Sequence, residues 1–136
     1  MTEKPGEFWA FPPNRARVKV YGNIEEAEIS RVLMQVLDFS QGTDFLMLEI
    51  DISEMTGATP EARRVSAKIF GEMPAMAFAL VGGSFSQRAL AKLVLKAVEL
   101  LRGKKRQVVS FFKESEPAVS WLEQQGEHYT ANGRFK

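Results

Sequence analysis

Two apolar runs of strand length, each followed at once by the signature of a helix start, restrict this chain more than any other feature. "DFLMLEIDI" (44–52) leads toward Thr59-Pro60-Glu61, which offers a hydroxyl N-cap, a proline in the first turn and an early acid. "AMAFALVGG" (75–83) leads into Ser84 with Gln87 three residues on, a capping box. The second run is apolar at nearly every position, as suits a central strand covered on both faces. Such strands need helices to cover them, and strand–helix–strand order makes neighbouring strands parallel with right-handed crossovers. An α/β domain on a largely parallel sheet is therefore expected.

The remaining segments extend that frame. "EFWAF" (7–11) and "ARVKVYG" (16–22) read as strands joined at Pro12-Pro13-Asn14, an antiparallel pair that makes the sheet mixed. In the second, Ala16, Val18 and Val20 share one face, and Arg17, Lys19 and Tyr21 the other. Gly22-Asn23 is expected to stop that strand, with Asn23 capping a helix to about Phe39 whose stripe is Ile29, Val32, Leu33, Val36 and Leu37; Gly42 closes it. Leu46, Leu48, Ile50 and Ile52 share one face of the third strand, Glu49 and Asp51 the other, and a loop is expected over 53–58. The next helix buries Val65, Ile69, Phe70 and Met73, and Pro74 ends it. A long helix from Ser84 to Leu101 carries Leu90, Leu93, Val94, Ala97, Val98 and Leu101 as its core stripe, with Gly103 behind it. "RQVVSFF" (106–112) is a fifth strand, and "SEPAVSWLEQQ" (115–125) a short last helix with Ala118, Trp121 and Leu122 at helical spacing. The order is ββαβαβαβα, a single domain over 7–125 with a mixed five-stranded sheet and about four helices. Residues 1–6 read as a disordered N-terminus and 126–136 as a flexible polar tail.

Composition narrows function by exclusion. At 136 residues the chain is long enough for one well-buried core. Its 18 basic and 17 acidic residues leave a net charge of +1, with no broad attraction for nucleic acid or an anionic membrane surface. There is no cysteine, hence no disulfide, thiolate metal site or thiol nucleophile. No apolar run reaches the roughly 18 residues of a spanning helix, and "MTEKPGEF" lacks the pattern of a signal peptide, so a cytoplasmic location without membrane insertion is expected. His128 is the single histidine and lies in the expected tail, so neither a metal nor another cofactor is anticipated.

Four strings in order, "LEIDISEM" (48–55) with "TPEARR" (59–64), "FALVGGSFSQRALAKLV" (78–94) and "VVSFFKESEPAVSWL" (108–122), resemble the SpoIIAA-like family of the STAS superfamily, also described as STAS/SEC14-type domains. The resemblance spans about residues 8–124. It implies a non-enzymatic bacterial regulatory module that binds a protein partner or a small ligand. The anti-sigma factor antagonists of that superfamily are switched by phosphorylation at the start of the second helix. Here that turn reads "GATPEARR" (57–64), with Pro60 or Glu61 where the hydroxyl would fall and Thr56 and Thr59 nearby, so the switch does not carry over.

Three places carry chemistry-bearing residues. In "VGGSFSQR" (81–88), Gly82 and Gly83 allow a tight turn, the helix start supplies free N–H groups, and Ser84, Ser86 and Arg88 add donors and charge, which suits an anionic small ligand. Asp51, Ser53, Thr56, Thr59 and Arg63 form a second group, a partner-binding or switch loop; Thr59 and Arg63 are also explained by helix capping and a solvated helix face. Glu49 and Asp51, about 7 Å apart along one strand face, would serve an acid–base enzyme, but no partner group stands beside them in the sequence, and Asp51 reads equally as an acceptor for the loop that follows. A SEC14-like pocket for an apolar ligand is a further alternative, opposed by the small core such a cavity would consume. Arg88, Lys92 and Lys96 make a basic stripe, extended by Lys104, Lys105 and Arg106, which reads first as a solvated helix face. Phe8, Trp9 and Phe11 on the first strand could pair with a second copy, giving a homodimer.

Overall fold

The computed structural model describes residues 4–102 and 107–136. Met1–Glu3, at the start of the expected disordered segment, and Gly103 with the basic residues 104–106 lie outside the described residues. Nine elements follow one another: β1 (Glu7–Phe11), β2 (Arg15–Ile24), α1 (Glu26–Ser40), β3 (Phe45–Ala58), α2 (Pro60–Gly71), β4 (Ala75–Val81), α3 (Phe85–Arg102), β5 (Gln107–Phe112) and α4 (Ser115–Asn132). The sheet runs β1-β2-β3-β4-β5 in chain order, with β1 antiparallel to β2 and every later pairing parallel.

This order dictates the layers. Each crossover steps to the next strand in the same direction, and right-handed crossovers that never reverse put all their helices on one face. Accordingly α1, α2 and α3 sit together, over a core of Val18, Val20, Val32, Leu33, Leu46, Leu48, Met76 and Phe78. The opposite face belongs to α4, which leaves β5 at the sheet edge and folds back across β4 to β3. Ala77 and Ala79 on that face have small side chains, and Ala118 and Leu122 pack down on them. Where α4 crosses β3 the approach is closest: a Cβ on Gly126 would lie 2.6 Å from Met47 Sδ.

The alternation read from the sequence holds in the sheet, and the structure departs from the reading in four places. β2 runs through Gly22 and Asn23 to Ile24, so Asn23 does not cap α1; Glu25 takes the N-cap position without a side-chain hydrogen bond. β3 continues to Ala58, so 53–58 is strand, pairing with the extension of β2 across two register shifts. The pairing of each extension with the other satisfies backbone groups that a loop would leave to water. In α3, Leu93 and Leu101 are exposed, and Val98 is the buried residue, with Leu90, Ala91, Val94 and Leu95 turned inward. Lastly α4 does not end at Gln125. It continues through the expected tail to Asn132, Phe135 packs on Phe45 and Tyr129, and the Lys136 N–H donates to Gln125 Oε1 at 3.0 Å. The polar look of 126–136 hides the Tyr129 and Phe135 rings that hold it.

Candidate functional site

Because β3 and β4 are parallel neighbours, the two residue groups singled out in the sequence lie at one end of the sheet and touch. Gly82 and Gly83 both have left-handed backbones, φ +77° and +90°. A Cβ on Gly82 would stand 2.7 Å from the Ser53 Cβ, and one on Gly83 3.0 Å from Ile52 Cδ1, so the turn is pressed against β3. The capping box forms as expected: the Ser84 N–H donates to Gln87 Oε1, and the Gln87 N–H to Ser84 Oγ at 3.3 Å. The Gln87 amide then reaches back to the carbonyls of Ser53 and Met55. Much of the donor capacity at this helix start is thus spent inside the molecule. Ser84 and Ser86 are exposed.

In the second group, Asp51 is buried and accepts from the Ser53 N–H (2.9 Å) and hydroxyl (2.6 Å) and from Arg17 Nη2 (3.2 Å). Thr59 caps α2, its Oγ1 accepting from the Ala62 N–H at 3.1 Å. Thr56 is exposed on β3. Arg63 turns inward, and its Nε–H is buried with no acceptor.

Glu49 is 1% exposed and is held by Arg17 Nε (3.1 Å) and the Ser115 hydroxyl (2.7 Å). Arg17 and Ser115 went unnoticed in the sequence because register was missing: Arg17 stands directly across from Glu49, and Lys19 across from Asp51. The network locks the start of α4 to β2 and β3. Neither carboxylate lines the interhelical cavity or the grooves along α3. Beside them, Trp9 lies under the Arg17 guanidinium at 4.7 Å and Phe11, 37% exposed, under Arg15 at 4.2 Å, whereas Phe8 faces Phe39 on the helix side. The Glu7 carboxyl is held below its ordinary value chiefly by the Tyr21 hydroxyl, and Lys19 is raised chiefly by its bond to Glu54.

An apolar cavity of about 80 Å³ lies between the sheet and α1, α2 and α3. Ile52, Met55, Phe70, Ala91, Val94 and Leu95 are among its walls, and Arg63 and Ser66 are its polar contributors. The Ser66 hydroxyl already donates to the Ala62 carbonyl at 2.7 Å. Of Asp51, Ser53, Thr56, Thr59 and Arg63, Arg63 is the one that lines the cavity. Sequence spacing assigned it to a solvated helix face, and only the position of α3 shows otherwise. Among the described residues no helix is long and apolar enough to cross a membrane.

No family model matches the chain, and no curated protein matches it. Among solved structures it is similar to an uncharacterised protein of the DUF3478 family from Shewanella loihica PV-4, at 15% identity and a TM-score of 0.64. The match covers 90% of this chain and 98% of that one. At that identity the likeness speaks for architecture, and the Shewanella protein has a SpoIIAA-like fold. With its mixed five-stranded sheet in chain order, three helices on one face and one on the other, this chain has the SpoIIAA-like, STAS-type fold that its sequence strings suggested.

Proposed function

We propose that this chain is a non-enzymatic STAS-type binding module that takes up a small apolar molecule with an anionic head, its tail in the cavity beneath α2 and α3 and its head at Arg63. The observation that carries this reading is the Arg63 Nε–H, buried without an acceptor at the wall of an otherwise apolar cavity. A buried donor left unmade costs about 1–3 kcal/mol, and a carboxylate oxygen there would offset that with a charge-assisted bond. The cavity, at about 80 Å³, is roughly half the size of an engineered one that takes up benzene. It accepts a short chain end as it stands, and a longer chain as α3 moves outward. α3 suits that movement, since Val98 alone among its described residues is buried. Gly82 and Gly83 then act as its hinge, and a protein partner reads its position.

Carboxyl-labelled octanoate, followed by NMR and calorimetry, tests the reading. Saturable binding is expected, abolished by Ala91→Phe, which fills the cavity, and weakened about tenfold or more by Arg63→Met. Undiminished binding to the Ala91→Phe protein would sink the proposal.

A further inference from the structure

β5 differs from its neighbour β4 in a way the cavity does not explain. Every residue of β4 is buried, whereas every residue of β5 is only half-buried. The cause is the placement of α3, which packs on α2 and over β3 instead of over β5. A groove of about 450 Å³ is left between α3 and β5, within the ~300–1,000 Å³ of ligand sites. Its floor is Gln107, Val109 and Phe111; Lys92, Leu95, Lys96 and Glu99 form its wall.

Two polar side chains, Gln107 in the groove and Arg88 beside it, have buried atoms without hydrogen-bond partners. The Gln107 side-chain amide is buried with neither its nitrogen nor its oxygen bonded, and the Arg88 Nε–H is buried and unbonded. Lys92 and Arg88 lie over the Phe111 ring at 5.3 and 5.8 Å. Arg17, Lys19, Arg31 and Arg64 all sit in ion pairs, whereas Arg88, Lys92 and Lys96 enter none among the described residues. Glu99 is the carboxylate on this wall, so the groove keeps an excess of positive charge.

The backbone adds a direction. The Gly82 N–H donates to the Phe112 carbonyl at 2.8 Å, so Phe112 faces β4, and alternation turns the backbone groups of Val109 and Phe111 to the free edge. Those are two of the three residues whose side chains floor the groove. A strand laid along this edge would use unmade backbone bonds and direct every second side chain at α3.

We infer that the free edge of β5 and the groove beside it form a docking site for an extended acidic peptide segment, which adds to the sheet as a sixth strand and places acidic side chains against Lys92 and Lys96. Apolar residues of the segment cover Val109 and Leu95, and the Gln107 amide gains a backbone or carboxylate partner.

The test uses the intact protein and a blocked, fluorescent seven-residue peptide of alternating Glu and Val, by anisotropy at low salt. Two companion peptides carry N-methyl groups at every second residue, in either register, which keeps the charge and removes the pairing. The parent peptide is expected to bind and to slow hydrogen exchange at the Val109 and Phe111 amides. Binding should fall at least tenfold for the Lys92→Glu/Lys96→Glu protein, whose exposed positions leave the urea midpoint unchanged. At least one methylated peptide should fail to bind. Equal binding of both methylated peptides, protection away from β5, or full competition by pyrophosphate would each overturn the inference, as would no binding at millimolar peptide.

Discussion

Arg17 shows how much one side chain can decide at the residue scale. It bonds Glu49 and Asp51 together, and Glu49 is wholly enclosed. Removing the cation leaves a buried carboxylate with only Ser115 to serve it, so Arg17→Met should destabilise the fold by about 3 kcal/mol. Pairing it with Glu49→Leu should recover most of that loss, since the enclosed charge goes too; urea unfolding of the three proteins checks both. At the neighbouring Glu7, the lowered folded-state value means a contribution fully present above the ordinary carboxyl value of 4.5 and lost as pH falls through the folded one. Tyr21→Phe should move the Glu7 titration upward, read by carboxyl NMR, because the hydroxyl is the largest cause. The pairing of these charges could not be read from the sequence. Alternation put Arg17 and Lys19 on one strand face and Glu49 and Asp51 on another, but which residue stood opposite which depends on register.

At the scale of elements, the starts of α2 and α3 were legible, whereas the start of α1 and the strand ends were not. Thr59 and the Ser84–Gln87 pair cap their helices as their local chemistry requires, because capping is decided within four residues. The extension of β3 to Ala58 was hidden, since it rests on the strand beside it and not on its own composition. α3 offered two overlapping apolar stripes. The one at Leu90, Leu93, Val94, Ala97, Val98 and Leu101 was as regular as the one the fold uses, at Leu90, Ala91, Val94, Leu95, Ala97 and Val98. Packing against α2 chose between them. Val98→Ala should therefore cost about 2 kcal/mol in urea unfolding, and Leu93→Ala within about 0.5 kcal/mol of nothing. The cavity and the unpartnered Arg63 Nε–H follow from the same choice, so the candidate site was legible as a neighbourhood, where β3 and β4 end, and not as a set of contacts.

Over the whole molecule, the order of elements along the chain and the fold class were written in the sequence because each strand and helix has its own apolar pattern. The far side of the sheet was not, since it depends on a helix that returns from the edge. Ending the chain at Gln125, the boundary that polarity suggests, would remove the Tyr129 and Phe135 rings from Phe45 and the close seat of Gly126 on Met47. A loss of more than about 2 kcal/mol is expected from the aromatic contacts alone, measured as the urea midpoint of the 1–125 chain against the full one. No change would mean that the last turns of α4 ride on the surface.

The chain-ordered sheet also sets a schedule for synthesis. As the polypeptide leaves the ribosome, each new strand finds its neighbour already in place, so the helix-bearing half can assemble piece by piece with short-range closures. The other half cannot. Met47, Ala77, Ala79 and Val81 stay uncovered, and Glu49 waits for Ser115, until α4 has emerged. For that interval the nascent protein carries a finished layer on one side and a bare apolar strip on the other, and that is when a holding chaperone would find it.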